Sequence, residues 1–518
     1  MFPKTSDVLA ILPQIFVAVL AMFVLLTDAI WPKVSKRVLA NVAVLGLVLV
    51  SAWVIATWPG REAVPALQNM VLNDRYTAFF NLVILGGTAL SIWMSIQFLD
   101  REGGQMGEYY ALLLFTAVGG MVMGASINLI CVFIGLEILS IALYILSGYH
   151  THRLESDEAA LKYFLLGSYA SAFLLFGIAL VYGASESLDI RQISTNLGNL
   201  AVGGADPSKN YLLLAGIALM LVGFGFKVAA VPFHIWTPDV YQGAPTSVTA
   251  FMSVVAKAAG FAAFLRVIAT SFQDPNLQLQ ISAVLASVAA LTMLVGNVVA
   301  CVQTNLKRIL AYSSIAHAGY ITAGLVAAVR GGGMSMLGDD PRQSAIAAVL
   351  FYAAGYTVSN LGAFGVLLAL RKRGEEVQDL KDLAGVGFRH PWLAALLTLF
   401  LLSLAGLPPF VGFFGKLFLI QALIEMSSPL VWLIVLFVLT SVVSFYYYLG
   451  PVRAMYMPTP EEDEGAVTTV TADGHLKLAL AVAAIGTVLL GLWAGGVFGV
   501  AQRVAESFFT SGIANTMP

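Results

Sequence analysis

Four ionisable side chains stand where an apolar chain has least reason to keep them. Glu137, Lys227, Lys257 and Lys416 each lie near the middle of a run of mostly apolar residues. A charge at the centre of a bilayer costs roughly 2.5–3.5 kcal/mol on insertion scales, so four cost roughly 10 kcal/mol, which packing alone would not require. Desolvation disfavours a charged amine and a neighbouring carboxylate restores it. Proton transfer is the chemistry these residue types suit. Glu137 close to Lys227 would hold a proton there, and its withdrawal would pass the proton to Lys257. The plainer reading is a structural Glu–Lys pair with two lysines reaching to the surface. Lysines beside two helix breaks argue against it. A resident metal cation would need several oxygen ligands, whereas this set offers one carboxylate and three amines.

A second group could extend the path. Lys162 stands near the start of its apolar run, where it could instead snorkel to the interface. Lys307 opens another run, where loop-charge bias is an alternative explanation. His234, just beyond a helix break, has a side chain that titrates near neutrality. His317 lies about ten residues into a run and could lend its ring to the same route. Tyr312, Ser313, Ser314 and Ser403 could order water. Asp28 and Arg266 read as anchors near span ends, and Trp236, Tyr241 and Tyr446 to Tyr448 as an interfacial aromatic belt.

The elements that must position these residues are membrane spans. The chain has 518 residues, 59% hydrophobic and only 11% charged, against about 25% charged in soluble domains. Runs of about twenty apolar residues predict fourteen spans: 8–31, 38–58, 77–98, 108–125, 127–149, 159–184, 211–241, 246–272, 277–302, 308–329, 343–370, 390–425, 430–455 and 476–500. The seventh and twelfth are overlong and interrupted. One carries Lys227 five residues before Pro232, the other Lys416 shortly after Pro408-Pro409. A helix break at membrane depth is tolerated only where protein or a water-filled cavity covers the freed backbone.

Paired interrupted helices mark a repeat and its sites. The two lie five spans apart, and an odd number of spans inverts the second copy. The predicted fold is therefore all-α and polytopic, with inverted five-helix repeats over spans 4–8 and 9–13. Its units are an N-terminal three-helix segment (1–107), the repeats (108–272 and 277–455), and an acidic loop with a last helix (456–518). With the N-terminus outside, inner loops hold fourteen lysines and arginines against eight outside, which places both termini on the outer side. The segment 185–210 fits a short interfacial helix or a plain loop, and 501–518 carries no motif. Cys131 and Cys301 stand alone in apolar runs. No dinucleotide, Walker or haem signature is present, so no redox or nucleotide site is expected on this chain. Nothing suggests nucleic acid.

Longer segments carry a resemblance. They are Phe226-Lys227 through Pro232-Phe-His-Ile-Trp-Thr-Pro-Asp-Val-Tyr-Gln-Gly-Ala-Pro-Thr246, Leu306 through Tyr320, Ser403 through Lys416, and Ser444 through Leu449. Over spans four to thirteen the chain resembles the antiporter-like membrane subunits of respiratory complex I. Lysine at 416, and a tail too short for a long lateral helix, separate it from two of that family's subtypes. The resemblance implies that Glu137 pairs with Lys227, that Lys257 links onward, and that Lys416 ends the path toward the outer side. Lys162, His234 and Lys307 match further polar positions. It further implies a proton-translocating subunit of NADH:quinone oxidoreductase in a bacterial inner membrane. NADH, flavin, iron–sulfur clusters and quinone would then lie in partner subunits, with subunit M and small subunits J and K as neighbours. Two other readings remain: a subunit of a multi-subunit sodium/proton antiporter, and a structural scaffold indifferent to loss of the lysines.

Overall fold

The computed structural model describes residues 5–60, 63–101, 107–150, 153–331, 340–372, 375–458, 468–470 and 472–513. Among these, thirteen helices are long and apolar enough to cross a membrane. They are spans 1 (Leu12–Ile30), 2 (Lys36–Ala56), 3 (Arg75–Arg101), 4 (Glu108–Ala125), 5 (Leu129–Ser147), 6 (Leu154–Ser185), 8 (Thr246–Ser271), 9 (Pro275–Ala300), 10 (Leu306–Arg330), 11 (Pro341–Ala369), 13 (Val431–Met455) and 14 (Gly474–Leu492), with Tyr211–Val228 as the first half of span 7. Trp236–Gly243 is its second half. The shorter apolar helices Pro391–Ala405 and Val411–Ile424 make the interrupted span 12. The starts are legible in residue chemistry: Asn128, Asn210, Asp274, Asn305, Asp340 and Asp473 each accept a backbone N–H of the first turn. Fourteen crossings bring the start of span 1 and the end of span 14 to one face, here the terminal face.

Spans 4–8 and 9–13 repeat one plan. Each opens with two helices packed backbone to backbone through glycine pairs. A Cβ on Gly135 would lie 2.8 Å from Met123 N, and one on Gly319 would lie 2.7 Å from Met293 N. In each the fourth span breaks after a left-handed residue, Ala229 (φ 63) or Gly406 (φ 95). A cis X–Pro bond follows, Val231–Pro232 or Pro408–Pro409.

The segment left open between loop and helix is a helix, Ile190–Val202, with Ile190, Ile193 and Leu197 buried. The tail departs from expectation. A further helix, Ala494–Ile513, runs on through residues read as motif-free, because Phe498, Ala501, Val504, Ala505 and Phe508 supply a buried stripe. It packs on the terminal face, Phe508 against Tyr76 of span 3 and Phe498 against Phe418 of span 12. On the opposite face Leu370–Lys372 pairs with Glu375–Glu376 and Thr468–Val470. The acidic stretch from 459 lies outside the described residues.

Arg266 is a deeply buried anchor. Its guanidinium donates to both oxygens of Asp74 at 3.0 and 2.9 Å and lies 4.5 Å over the Tyr76 ring. It ties span 8 to the start of span 3. Removing one partner of a buried pair costs about 3–5 kcal/mol, because the other is left uncompensated. Asp74→Ala is therefore expected to lower the thermal unfolding temperature of the detergent-purified protein markedly. Adding Arg266→Leu is expected to recover most of that loss.

Candidate proton path

Lys227 closes the first half of span 7 and is 4% exposed. A cation in the last turn of a helix meets its negative end. Its ammonium donates to Ser140 Oγ at 2.8 Å and Tyr163 OH at 3.3 Å. The break beyond it satisfies its own backbone. Ala230 N bonds Gly225 O, Val231 N bonds Thr292 Oγ1 of span 9, and Trp236 Nε1 bonds Phe226 O. Trp236 also stacks on Tyr163, ring centroids 4.5 Å apart. Trp236 and Tyr241 are thus buried parts of the break, contrary to an interfacial belt; of the tyrosines 446–448 only Tyr446 faces outward.

Glu137 stands one turn before Ser140 on span 5, half-buried, and accepts a hydrogen bond from Ser171 of span 6. Among the described residues no direct ion pair joins it to Lys227. The Ser140 hydroxyl, on the same helix, stands at the lysine instead.

Lys257 lies immediately after a five-residue π-turn, Met252–Ala256, in span 8. Its ammonium donates to the carbonyl and hydroxyl oxygens of Ser314 at 2.6 and 2.5 Å. Within one turn of span 10 follow Ser313 and His317. Ser313 bonds Tyr448, and the His317 ring joins Tyr448 OH at 2.9 Å and Tyr352 OH at 2.5 Å. Between His317 and the break of span 12 lies a cavity of about 10 Å³ lined by Tyr352, Tyr356, Ser359 and Gly412. That is near the smallest volume that holds a water.

Lys416 comes from the second half of span 12, yet its ammonium reaches back across the break to Ala405 O at 2.7 Å. It lies 5.0 Å from the Tyr320 ring centroid. Lysine after the break thus bonds the C-terminal end of the preceding half-helix, whereas lysine before the break stands in the last turn of its own and bonds Ser140 and Tyr163.

The remaining residues divide. Ser403 sits in the break, bonded to Ser359. Tyr312 is half-buried against the core. His234 lies in the first break with Nδ1 unpartnered among the described residues. Lys162 is on the opposite face, paired with Glu158 at 2.6 Å and Asp239 at 2.8 Å. Arg308 shares Asp239 at 2.9 Å, and Glu158, Lys162 and Asp239 edge a cleft of about 200 Å³. Lys307 donates to Ala244 O at 2.8 Å and lies 3.9 Å from Glu376.

Glu376 and the tyrosines of span 11 were not read from the sequence. Glu376 looked like ordinary loop charge. Tyr352, Tyr356, Ser359 and Asn360 were legible in principle, because a polar stripe at helical spacing in an apolar helix must face something polar.

The chain is 40% identical over 503 residues to NADH-quinone oxidoreductase subunit N of Trichlorobacter lovleyi, covering 97% of this chain and 98% of that one. It is 41% identical to subunit N 1 of Solibacter usitatus, with the same coverages. Residues 126–444 match the family described as NADH:quinone oxidoreductase/Mrp antiporter, TM. This chain belongs to that family. As a member, it shares its fold with a chain of respiratory complex I from Thermus thermophilus with bound aureothin, at TM-score 0.75, 33% identity, and 94% and 98% coverage. It also shares the fold of a chain of the Mrp complex from Dietzia, at TM-score 0.80 and 20% identity, covering 98% and 100%.

Glu376 supplies a pH prediction outside the spans. Burial raises its pKa, but Lys307, Arg371 and the Thr246 hydroxyl outweigh that, leaving it below the ordinary 4.5. A lowered folded pKa stabilises fully above the unfolded value and is lost as pH falls through the folded one. Glu376→Gln is expected to reduce thermal stability at neutral pH. It is also expected to flatten the acid limb of the stability–pH curve below about pH 4.5.

Proposed function

We propose that this chain is a proton-translocating subunit of an NADH:quinone oxidoreductase. Protons enter at the cleft edged by Asp239 and Lys162 and collect on Lys227, where Glu137 governs their retention. They then move by way of Lys257, the Ser313–Tyr448–His317–Tyr352 network and one water to Lys416. The observation that carries this reading is the set of three lysines, 4, 3 and 6% exposed, each held by neutral oxygens, with the Ser313–Tyr448–His317–Tyr352 network running on beside Ser314, the partner of Lys257. An amine held this way can exchange a proton without breaking an ion pair.

The redox chemistry belongs to partner subunits, which hold NADH, flavin, iron–sulfur clusters and quinone. Subunits M, J and K are the expected membrane neighbours, and the terminal face is the outer one by the lysine and arginine bias of the loops. A sodium/proton antiporter subunit is the alternative within the family. Relatives 40% identical over nearly the whole chain bear the subunit N name, which favours the oxidoreductase. Co-purification with flavin and iron–sulfur proteins separates the two.

Lys227→Ala, Lys257→Ala and Lys416→Ala are each expected to cut proton pumping in sealed membrane vesicles at least about tenfold, a loss of about 1.4 kcal/mol in rate terms. Glu137→Ala is expected to do the same. Vesicles that pump normally with any of these lysines replaced would remove it from the path.

A further inference from the structure

The segment before Lys257 is irregular. Met252–Ala256 widens into a π-turn between the α-helical Thr246–Phe251 and Lys257–Ser271. Such turns are rare and cluster at functional sites. This one is held from outside. Asn360 of span 11, wholly buried, donates from Nδ2 to Ser253 Oγ at 2.7 Å, and Ser253 Oγ donates to Ala250 O at 2.7 Å. A buried asparagine in an apolar helix is costly unless its hydrogen bonds matter. Its Oδ1 has no partner among the described residues, so that cost is only half offset.

Its neighbour in sequence reaches the break of span 12, within span 11's own repeat. Ser359 Oγ lies 3.0 Å from Ser403 Oγ, which accepts from Gly412 N across the break of span 12 at 3.3 Å. One turn earlier on the same stripe, Tyr356 lines the cavity beneath His317 with its hydroxyl unpartnered among the described residues. Span 11 therefore grips the turn that aims Lys257 and the break that aims Lys416 through adjacent residues.

We propose that Asn360 is a positioning residue that fixes the π-turn of span 8 through Ser253 and so aims Lys257 at Ser314. This rests on the proton-transfer reading of Lys257. Asn360 itself carries no proton. It selects the turn geometry in which the amine meets span 10, while Ser359 holds the break of span 12 in the matching state.

The test uses the assembled complex in sealed vesicles, with proton pumping and NADH oxidation measured together, and deuterium uptake of the purified complex over 252–258. Asn360→Leu is expected to lower the rate of proton pumping about tenfold, the factor corresponding to about 1.4 kcal/mol in a barrier. It is also expected to speed exchange over 252–258 while leaving the complex assembled. Ser253→Ala, which disturbs less volume, is expected to reproduce the loss, and the two together to cost no more than either alone, since both cut one interaction. Asn360→Gln is expected to restore part of the pumping. Normal pumping and exchange in both single variants, or losses that add, would overturn the proposal. Lys257→Ala run alongside separates the levels: if it too pumps normally, the proton-path reading has failed, and if it alone is inactive, only the role of Asn360 has.

Discussion

An ammonium group at the negative end of an interrupted helix is the interaction on which the rest of this structure depends. Stopping a helix inside a membrane frees carbonyl groups that lipid cannot bond. The same carbonyls, with the helix dipole behind them, stabilise a cation. Lys416 bonds one of them outright at Ala405, and Lys227 occupies the last turn of its own half-helix. Break and lysine thus offset each other's cost. Break and lysine occur together in both repeats, which differ in which side of the break supplies the side chain.

Between the two breaks the protein uses neutral partners, and this choice decides what the amines can do. Lys257 is bonded by a serine, His317 by two tyrosines, and Lys227 by a serine and a tyrosine. On the opposite face, by contrast, Asp239 holds Lys162 and Arg308, and Glu376 faces Lys307 and Arg371. A carboxylate beside an amine fixes its charge, whereas a hydroxyl can donate or accept and leaves the charge free to move. Carboxylates therefore hold the lysines of the opposite face, and hydroxyls hold Lys227 and Lys257.

Much of this was legible in the sequence because membrane rules are strict. Apolar runs gave the crossings, and Pro232 and Pro408-Pro409 gave the breaks beside Lys227 and Lys416. What sequence could not supply was side-chain direction. Trp236 has the composition of an interface residue, yet it plugs a break because its ring N–H finds Phe226 O. Glu376 looked like loop charge until the strand pairing around it folded it onto Lys307. Asn360 gave only a weak signal, a lone amide among apolar neighbours, and the helical stripe that includes Tyr352 and Tyr356 gains meaning only when span 10 is set against it. The Ala494–Ile513 helix was missed because its apolar stripe is interrupted by polar residues, as suits a helix packed on one side.

The most direct measurement is a cryo-electron-microscopy map of the assembled complex sharp enough to show ordered water. Water density is expected in the small cavity between His317 and the break of span 12, and between Lys227 and Lys257. A dry interior at both places, with the three amines separated by packed hydrocarbon, would contradict the proposed path.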